Sequence, residues 1–388
     1  MSSWAAVGLS REPAPSPGSS AALVAALASG DPAPAPFVVR RLAPVPAVSG
    51  ERPITADQTN VSVVVGERLV VKWLLRPERR PPVLTHLASV GFAATARPYA
   101  TVSAPVGDAD VLLALVVDYL PDATDGYGWC VDAALAGREV GGVLGALVGG
   151  LHTAFATPSE VFPSPRGEAG PAEIAGWAAR AEAAVDEAVA AIGTADVGDP
   201  LPADTPNDGP TADPAVGLRE DRRWLSEHAA RLRAAVGALR RVEAPSPVQP
   251  IHGDLHVGQV LRWRDGYAVV DFDGNPTVPR SGAATPEPVA RDVAQMLCSI
   301  DHVGRIADRR TAGARGDELA AWIRAARAGF LTAYRATPAG DTLDDRLLAA
   351  FEVEQECREL IYAARFLPRW RYAPMATLRA MFPRSPSD

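Results

Sequence analysis

Lysine is almost missing from this 388-residue chain: Lys72 is the only one among 38 cationic residues, the rest being arginine. Cysteine is scarce too. Cys130, Cys298 and Cys357 are odd in number, far apart and accompanied by no CxxC or Cys/His cluster. That pattern indicates neither a disulfide framework nor a zinc site, and it predicts three reduced, buried thiols. No basic surplus exists. A net charge of −8 argues against a nucleic-acid partner, which would need a basic face, and against docking on anionic lipid. The longest apolar runs, such as "DVLLALVVDYL", are far too short for a bilayer span, so no membrane role is expected. The N-terminus shows no basic segment leading into an apolar stretch, so no secretory signal is read and a cytoplasmic protein is expected.

What is present is an ordinary soluble composition, 47% apolar and 22% charged, on a chain long enough for two domains or one domain with two lobes. Residues 1–50, rich in Ala, Pro and Ser, read as a loosely specified N-terminal cap with one short helical candidate, "SAALVAALASG". Residues 51–120 read as a small β-rich lobe. "VSVVVGERLVVKWLL" is a hairpin turning at "GE", "VLTHLASVGF" a short helix stopped by Gly91, and "VLLALVVDYL" a buried strand. Residues 121–388 read as mainly helical. "VGGVLGALVGGLHTAFA" carries small residues on one face, and "PAEIAGWAARAEAAVDEAVAAIG" is long and amphipathic. The Pro/Asp/Gly tract 195–214 reads as a mobile loop, and "FLPRWRYAP" reads as the end of the last helix.

A second β-rich island, "PIHGDLHVGQVLRWRDGYAVVDFDGNP", carries the densest chemistry. "VLRW" and "YAVVD" are strand-like, and "RDG" is a tight-turn signal. Folding about Asp265-Gly266 sets Gln259 opposite Asp271, and an amide oxygen beside a carboxylate is a suitable pair of hard ligands for Mg²⁺. Asp254, five residues before Gln259, sits where a general base should, with His252 and His256 structuring its loop. The string H-x-D-(x4)-Q followed by D-F-D-G matches the kinase order of catalytic-loop Asp, amide, then Asp-Phe-x-Gly metal site.

This island resembles the catalytic loop of aminoglycoside phosphotransferase-like and maltokinase-like enzymes. "ADQTNVSVVVGERLVVKWLL", "YLPDATDGYGWC" and "FEVEQECRELIYAARFLPRW" are similar to maltokinase segments in the same order, and "ECRELIYAARFLPRWRYAP" looks closer still to a related group of actinobacterial glucosamine kinases. The resemblance implies an α+β, bilobal, protein-kinase-like fold and ATP- and Mg²⁺-dependent phosphoryl transfer to the 6-hydroxyl of glucosamine. Maltose, an aminoglycoside or a catalytically silent scaffold are the alternatives. It implies Lys72 on the ATP phosphates, Thr59 and Asn60 covering them, and Asp118, Tyr119 and Leu120 as the adenine-side hinge. Asp254 becomes the catalytic base at the sugar hydroxyl. Gln259 and Asp271 become Mg²⁺ ligands, with Asp273 a further carboxylate.

For the acceptor, Glu352, Gln355, Glu359 and Tyr362 recur at helical spacing and share a face. Glu352, Gln355, Glu359, Asp301 and Trp370 are the candidate sugar contacts, and Asp292 a brace for the catalytic loop. Protein kinases pair the ATP-binding lysine with a helix glutamate. Here the only acidic residue between Lys72 and Asp108 is Glu78, in "RPERRPP". The sequence leaves open whether Glu78 or another group orients Lys72. The expected partners are a small sugar and ATP, with oligomeric state unspecified.

Overall fold

The computed structural model describes residues 4–11, 13–54, 60–75, 83–106, 109–195, 214–272 and 286–383. Thr59, Glu78, Asp273 and nearly all of the 195–214 tract lie outside the described residues. By contact the chain divides into two units. One comprises Met1–Thr124, Thr157–Ser164 and Val260–Thr285, and the other Asp125–Ala156, Pro165–Gln259 and Pro286–Asp388.

The first unit is built on a six-stranded antiparallel sheet. Its strands are β1 (Val38–Arg41), β2 (Glu51–Ile54), β3 (Val61–Val65), β4 (Leu69–Trp73), β5 (Pro98–Val106) and β6 (Ala109–Asp118), in the order β1-β5-β6-β4-β3-β2. The short helix at Val83–Ser89 ends before Gly91, as expected. β3 and β4 pair Val65 with Leu69. Gly66 and Glu67 both take positive φ in that turn, and a Cβ on Gly66 would overlap the Val48 side chain, so only glycine fits there.

In β4 the side chains alternate, burying Leu69, Val71 and Trp73 and leaving Val70 and Lys72 on the more open face. The buried face meets helix α1 (Ser19–Ser29) through Leu23, Val24 and Leu27, together with Trp4 and Val7. Trp73 Nε1 donates to Ser20 Oγ at 2.9 Å, and Glu51 accepts from the backbone N–H of Gly18 and Ala21 at the start of α1. The described residues among the first fifty are therefore closely specified, contrary to the sequence reading. Their few large apolar residues, diluted by Ala and Pro, fill the core of the sheet.

A separate hairpin, Val260–Trp263 with Gly266–Val269, belongs to the same unit. Its register corrects the expected one. Gly266 pairs with Trp263 and Val260 with Val269, so the turn is Arg264-Asp265, one residue earlier than Asp265-Gly266. That differs from the register that set Gln259 opposite Asp271. Thr95 and Thr124 tie the hairpin to the rest of the unit by bridges to Val269 and Arg262, and Ala268 packs with Ala96 and Leu120.

The second unit is mainly helical: α2 (Gly126–Leu135), α3 (Gly141–Phe155), α4 (Pro171–Thr194), α5 (Pro214–Gly237), α6 (Ala290–Arg310), α7 (Gly316–Arg335), α8 (Asp345–Phe366) and α9 (Tyr372–Met381). A short strand pair, Gly167–Ala169 with Ser246–Val248, joins them. The small face read in α3 is a packing surface: a Cβ on Gly141 or Gly145 would overlap backbone of α7, at Ala326 and Phe330. The helices do not end at "FLPRWRYAP". After a single turn at Pro368–Arg371 comes α9. Pro374 falls in its first turn, where a missing N–H costs nothing, so proline signals a start rather than a stop. Together the units make an α+β protein, one sheet-rich and one helical.

Candidate active site

In the sheet-rich unit, Lys72 Nζ lies 2.9 Å from Asp271 Oδ1. The lysine side chain is 19% exposed and the carboxylate 45%. Asp271 follows the hairpin with φ of 61°, a conformation uncommon for a residue with a side chain and frequent at functional sites. The sequence left the partner of Lys72 open. The structure places the carboxylate of Asp271 against it.

At the end of β6, Asp118 N donates to Arg97 O and Tyr119 N to Arg68 O, each at 2.9 Å. The Asp118 carboxylate accepts from Tyr99 Oη at 2.8 Å, and Tyr119 Oη accepts from Arg52. Of the three expected hinge residues, only Leu120 keeps a backbone N–H without a partner among the described residues. Asn60 stands immediately before β3.

In the helical unit, the loop carrying Asp254 is held mainly by one face of α6. The buried Asp292 carboxylate accepts from the N–H of His252 at 2.8 Å and of Gly253 at 2.9 Å. Gln295 Oε1 accepts from Leu255 N at 3.0 Å, and Ser299 Oγ accepts from Val257 N at 3.0 Å. The spacing of Asp292, Gln295 and Ser299 is three and then four residues, one helical stripe. Within the loop His252 Nδ1 accepts from Asp254 N and His256 Nδ1 from Gly258 N, the structuring roles expected of both histidines.

Asp292 is also paired with His152 Nε2 at 3.0 Å, and His152 Nδ1 lies 2.8 Å from Tyr334 Oη. Burial opposes ionisation of Asp292, but His152, His252 and the loop N–H outweigh it and hold the carboxyl below its usual range.

A chain of contacts leaves this loop and returns to it. Gln295 Nε2 donates to Gln355 Oε1 at 3.4 Å, Gln355 Nε2 to Glu359 Oε1 at 3.0 Å, and Trp370 Nε1 to Glu359 Oε2 at 2.9 Å. The Trp370 ring meets Tyr127 edge-on at 5.8 Å between centroids, and Tyr127 faces His256 at 5.9 Å. His256 Nε2 lies 3.4 Å from Gln259 Nε2. The Asp254 loop, α8, Trp370 and Tyr127 thus form one closed ring of polar and aromatic contacts.

The acceptor candidates divide by charge state. Asp301 and Glu352 both bind Arg327, each at 2.7 Å. Glu354 is paired with Arg291 and Arg358, and Glu356 with His302 at 2.9 Å. Glu359 alone on this helix stretch is held by two neutral donors with no ion-pair partner among the described residues. Burial pushes the Glu356 carboxyl up to about 7, with His302 opposing. The His302 imidazole is raised because Glu356 outweighs the effect of its own burial.

Sequence reasoning did not single out Gln295, Ser299, Arg327 or Tyr127. The first two were visible as the polar stripe D-x-x-Q-x-x-x-S in the otherwise apolar run 292–300. Arg327 and Tyr127 reach the site from distant helices and left no local signal.

No protein-family model matches the chain. It is 38% identical to the glucosamine kinase of Streptacidiphilus jiangxiensis, over 97% of this chain and 84% of that protein. It is also 38% identical to the glucosamine kinase of Mycolicibacterium smegmatis strain ATCC 700084, over 86% and 79% respectively. A solved glucosamine kinase in complex with glucosamine, ADP and inorganic phosphate matches with a TM-score of 0.76 at 36% identity, covering 96% of this chain and 84% of the other.

Proposed function

The chain belongs to the glucosamine kinase family, and on that premise we propose that it transfers the γ-phosphoryl group of ATP to the 6-hydroxyl of glucosamine. The observation that carries this acceptor is Glu359. A carboxylate oriented by two neutral donors, Gln355 and Trp370, with no ion-pair partner among the described residues, is suited to an ammonium group. The ring that holds it also holds the loop of Asp254. Gln355 and Trp370 act by fixing that carboxylate. Asp301 and Glu352 around Arg327 add a wall of net negative charge.

Asp254 orients the sugar hydroxyl and accepts its proton as the oxygen attacks phosphorus. The O–H bond breaks, a P–O bond forms, and the bond from phosphorus to the bridging oxygen breaks as ADP leaves. Lys72, held by Asp271, supplies a compact positive charge to the phosphates. Leu120 N–H is the hinge donor for the adenine.

Gln259 and Asp271, one in each unit, each offer an oxygen suited to a hard divalent cation. The Gln259 amide oxygen has no hydrogen-bond partner among the described residues, and Asp271 is a half-exposed carboxylate. Bound Mg²⁺ would neutralise charge on the transferring group. Among the described residues no helix is long and apolar enough to cross a membrane.

The test is ADP release by the purified protein with glucosamine, glucose, maltose and kanamycin, with and without Mg²⁺. Turnover with glucosamine that needs Mg²⁺ is expected, and consumption of maltose alone would overturn the reading.

A further inference from the structure

Tyr127 closes the ring described above, yet its hydroxyl is unused. It lies in the first turn of α2, whose N-cap Asp125 accepts from Gly128 N at 3.0 Å and fixes the direction in which Tyr127 leaves the helix. Its ring is wedged between His256 of the catalytic loop and Trp370. Gly258 passes so close that a Cβ there would come within 3.3 Å of the tyrosine ring. The ring is therefore held on both sides. The hydroxyl, by contrast, has no hydrogen-bond partner among the described residues, and the residue is only partly buried, so the O–H is open to a bound molecule.

The groups around that ring are informative. Trp370, against one side of the ring, donates to Glu359, the group assigned to the sugar's ammonium, and His256, against the other, lies two residues after Asp254, the group assigned to its reacting hydroxyl; the carboxylates of Glu359, Glu356 and Asp254 and the thiol of Cys130 act on the phenol from a distance. Burial, together with these carboxylates, pushes the phenol well above its ordinary range, so it remains a neutral O–H donor and acceptor throughout the working pH range. A neutral hydroxyl on a ring held between the Asp254 loop and the tryptophan that fixes Glu359 is suited to a polar, uncharged group on the bound molecule.

We propose that the Tyr127 hydroxyl is a further acceptor-binding group, hydrogen-bonded to a non-reacting hydroxyl of the sugar and setting selectivity at that position. The proposal rests on the reading of Asp254 and Glu359 as the flanks of the acceptor site. Nothing in it involves the nucleotide, so its effect is confined to the acceptor.

Tyr127→Phe separates the hydroxyl from the ring, since both ring contacts survive. Loss of one hydrogen bond raises KM for glucosamine roughly 10-fold, with KM for ATP and Tm unchanged. The deciding measurement uses glucosamines that each lack one non-reacting hydroxyl. The wild type is expected to discriminate against one of them, and Y127F to treat that analogue and glucosamine alike, the non-additivity of two groups in contact. An unchanged KM for glucosamine in Y127F, or discrimination against every analogue as in the wild type, would overturn the proposal. Failure of the functional reading shows separately, as absence of glucosamine turnover by the wild type. The same wild-type and Y127F comparison on whichever acceptor is then consumed still decides the role of Tyr127.

Discussion

On the proposed reading, Lys72 and Glu359 each act through a single charged group. An ammonium is a point charge, whereas a guanidinium demands fixed bidentate geometry. Lys72→Arg should retain the wild-type Tm and lose turnover by roughly 100-fold, the scale of removing one well-placed electrostatic group. Near wild-type turnover would make the lone lysine an accident of composition. At Glu359 the isosteric Glu359→Gln keeps a hydrogen-bonding oxygen and removes the charge. Charge-assisted hydrogen bonds contribute about 1.5–3 kcal/mol, so KM for glucosamine should rise roughly 10- to 100-fold while KM for ATP stays constant. Initial-rate kinetics with each substrate varied separately distinguish these outcomes. An equal change in both constants would count against an acceptor role.

Helices are where glycine has two opposite meanings. Gly145 in α3 sits against the Phe330 carbonyl of α7, and a side chain there overlaps backbone. Gly145→Val should lower stability by several kcal/mol or prevent folding, because two packed helices must separate. Gly176 in α4 has nothing near its missing Cβ, so Gly176→Ala should add about 0.4–1 kcal/mol. Thermal denaturation of the pair checks both signs.

The same scale shows what was legible beforehand. Asp254, Gln259 and Asp271 fall in one short stretch, where spacing carries the chemistry. The turn was misplaced by one residue because Gly266, read as a turn residue, opens the second strand. Helix α9 was missed because "FLPRWRYAP", which holds its first residues, reads as the end of the last helix. The ring through Gln295, Gln355, Glu359, Trp370 and Tyr127 draws on four separate parts of the chain. Local periodicity does not encode which distant faces meet.

For the molecule as a whole, the buried His302–Glu356 pair sets a pH dependence. A carboxyl raised to about 7 binds its proton more tightly in the folded state than in the unfolded chain. Its contribution to stability is full below the ordinary glutamate range and is lost as pH rises toward 7. The raised His302 has the same sign, its contribution disappearing as pH climbs past the usual histidine range. The Tm advantage of the wild type over Glu356→Gln should therefore shrink between about pH 5 and about pH 8, by an amount equivalent to on the order of 2 kcal/mol. Melting curves across that range check it, and an advantage that grows with pH would contradict the assignment.

Neither unit is a continuous piece of chain, and this governs how the protein is made. The sheet-rich unit begins at the N-terminus, yet its last part is the hairpin that leads to Asp271. Lys72 and Asp271 are 199 residues apart in sequence. At about 5–20 residues per second, a ribosome that has just added Lys72 needs roughly 10 to 40 s before it supplies the matching carboxylate. Within that interval all six strands of the large sheet are made, while the unit still lacks its separate hairpin and the early helices of the other unit are already emerging. Assembly of the Lys72–Asp271 pair is thus a late event of translation, and a chain released early carries the lysine without the aspartate.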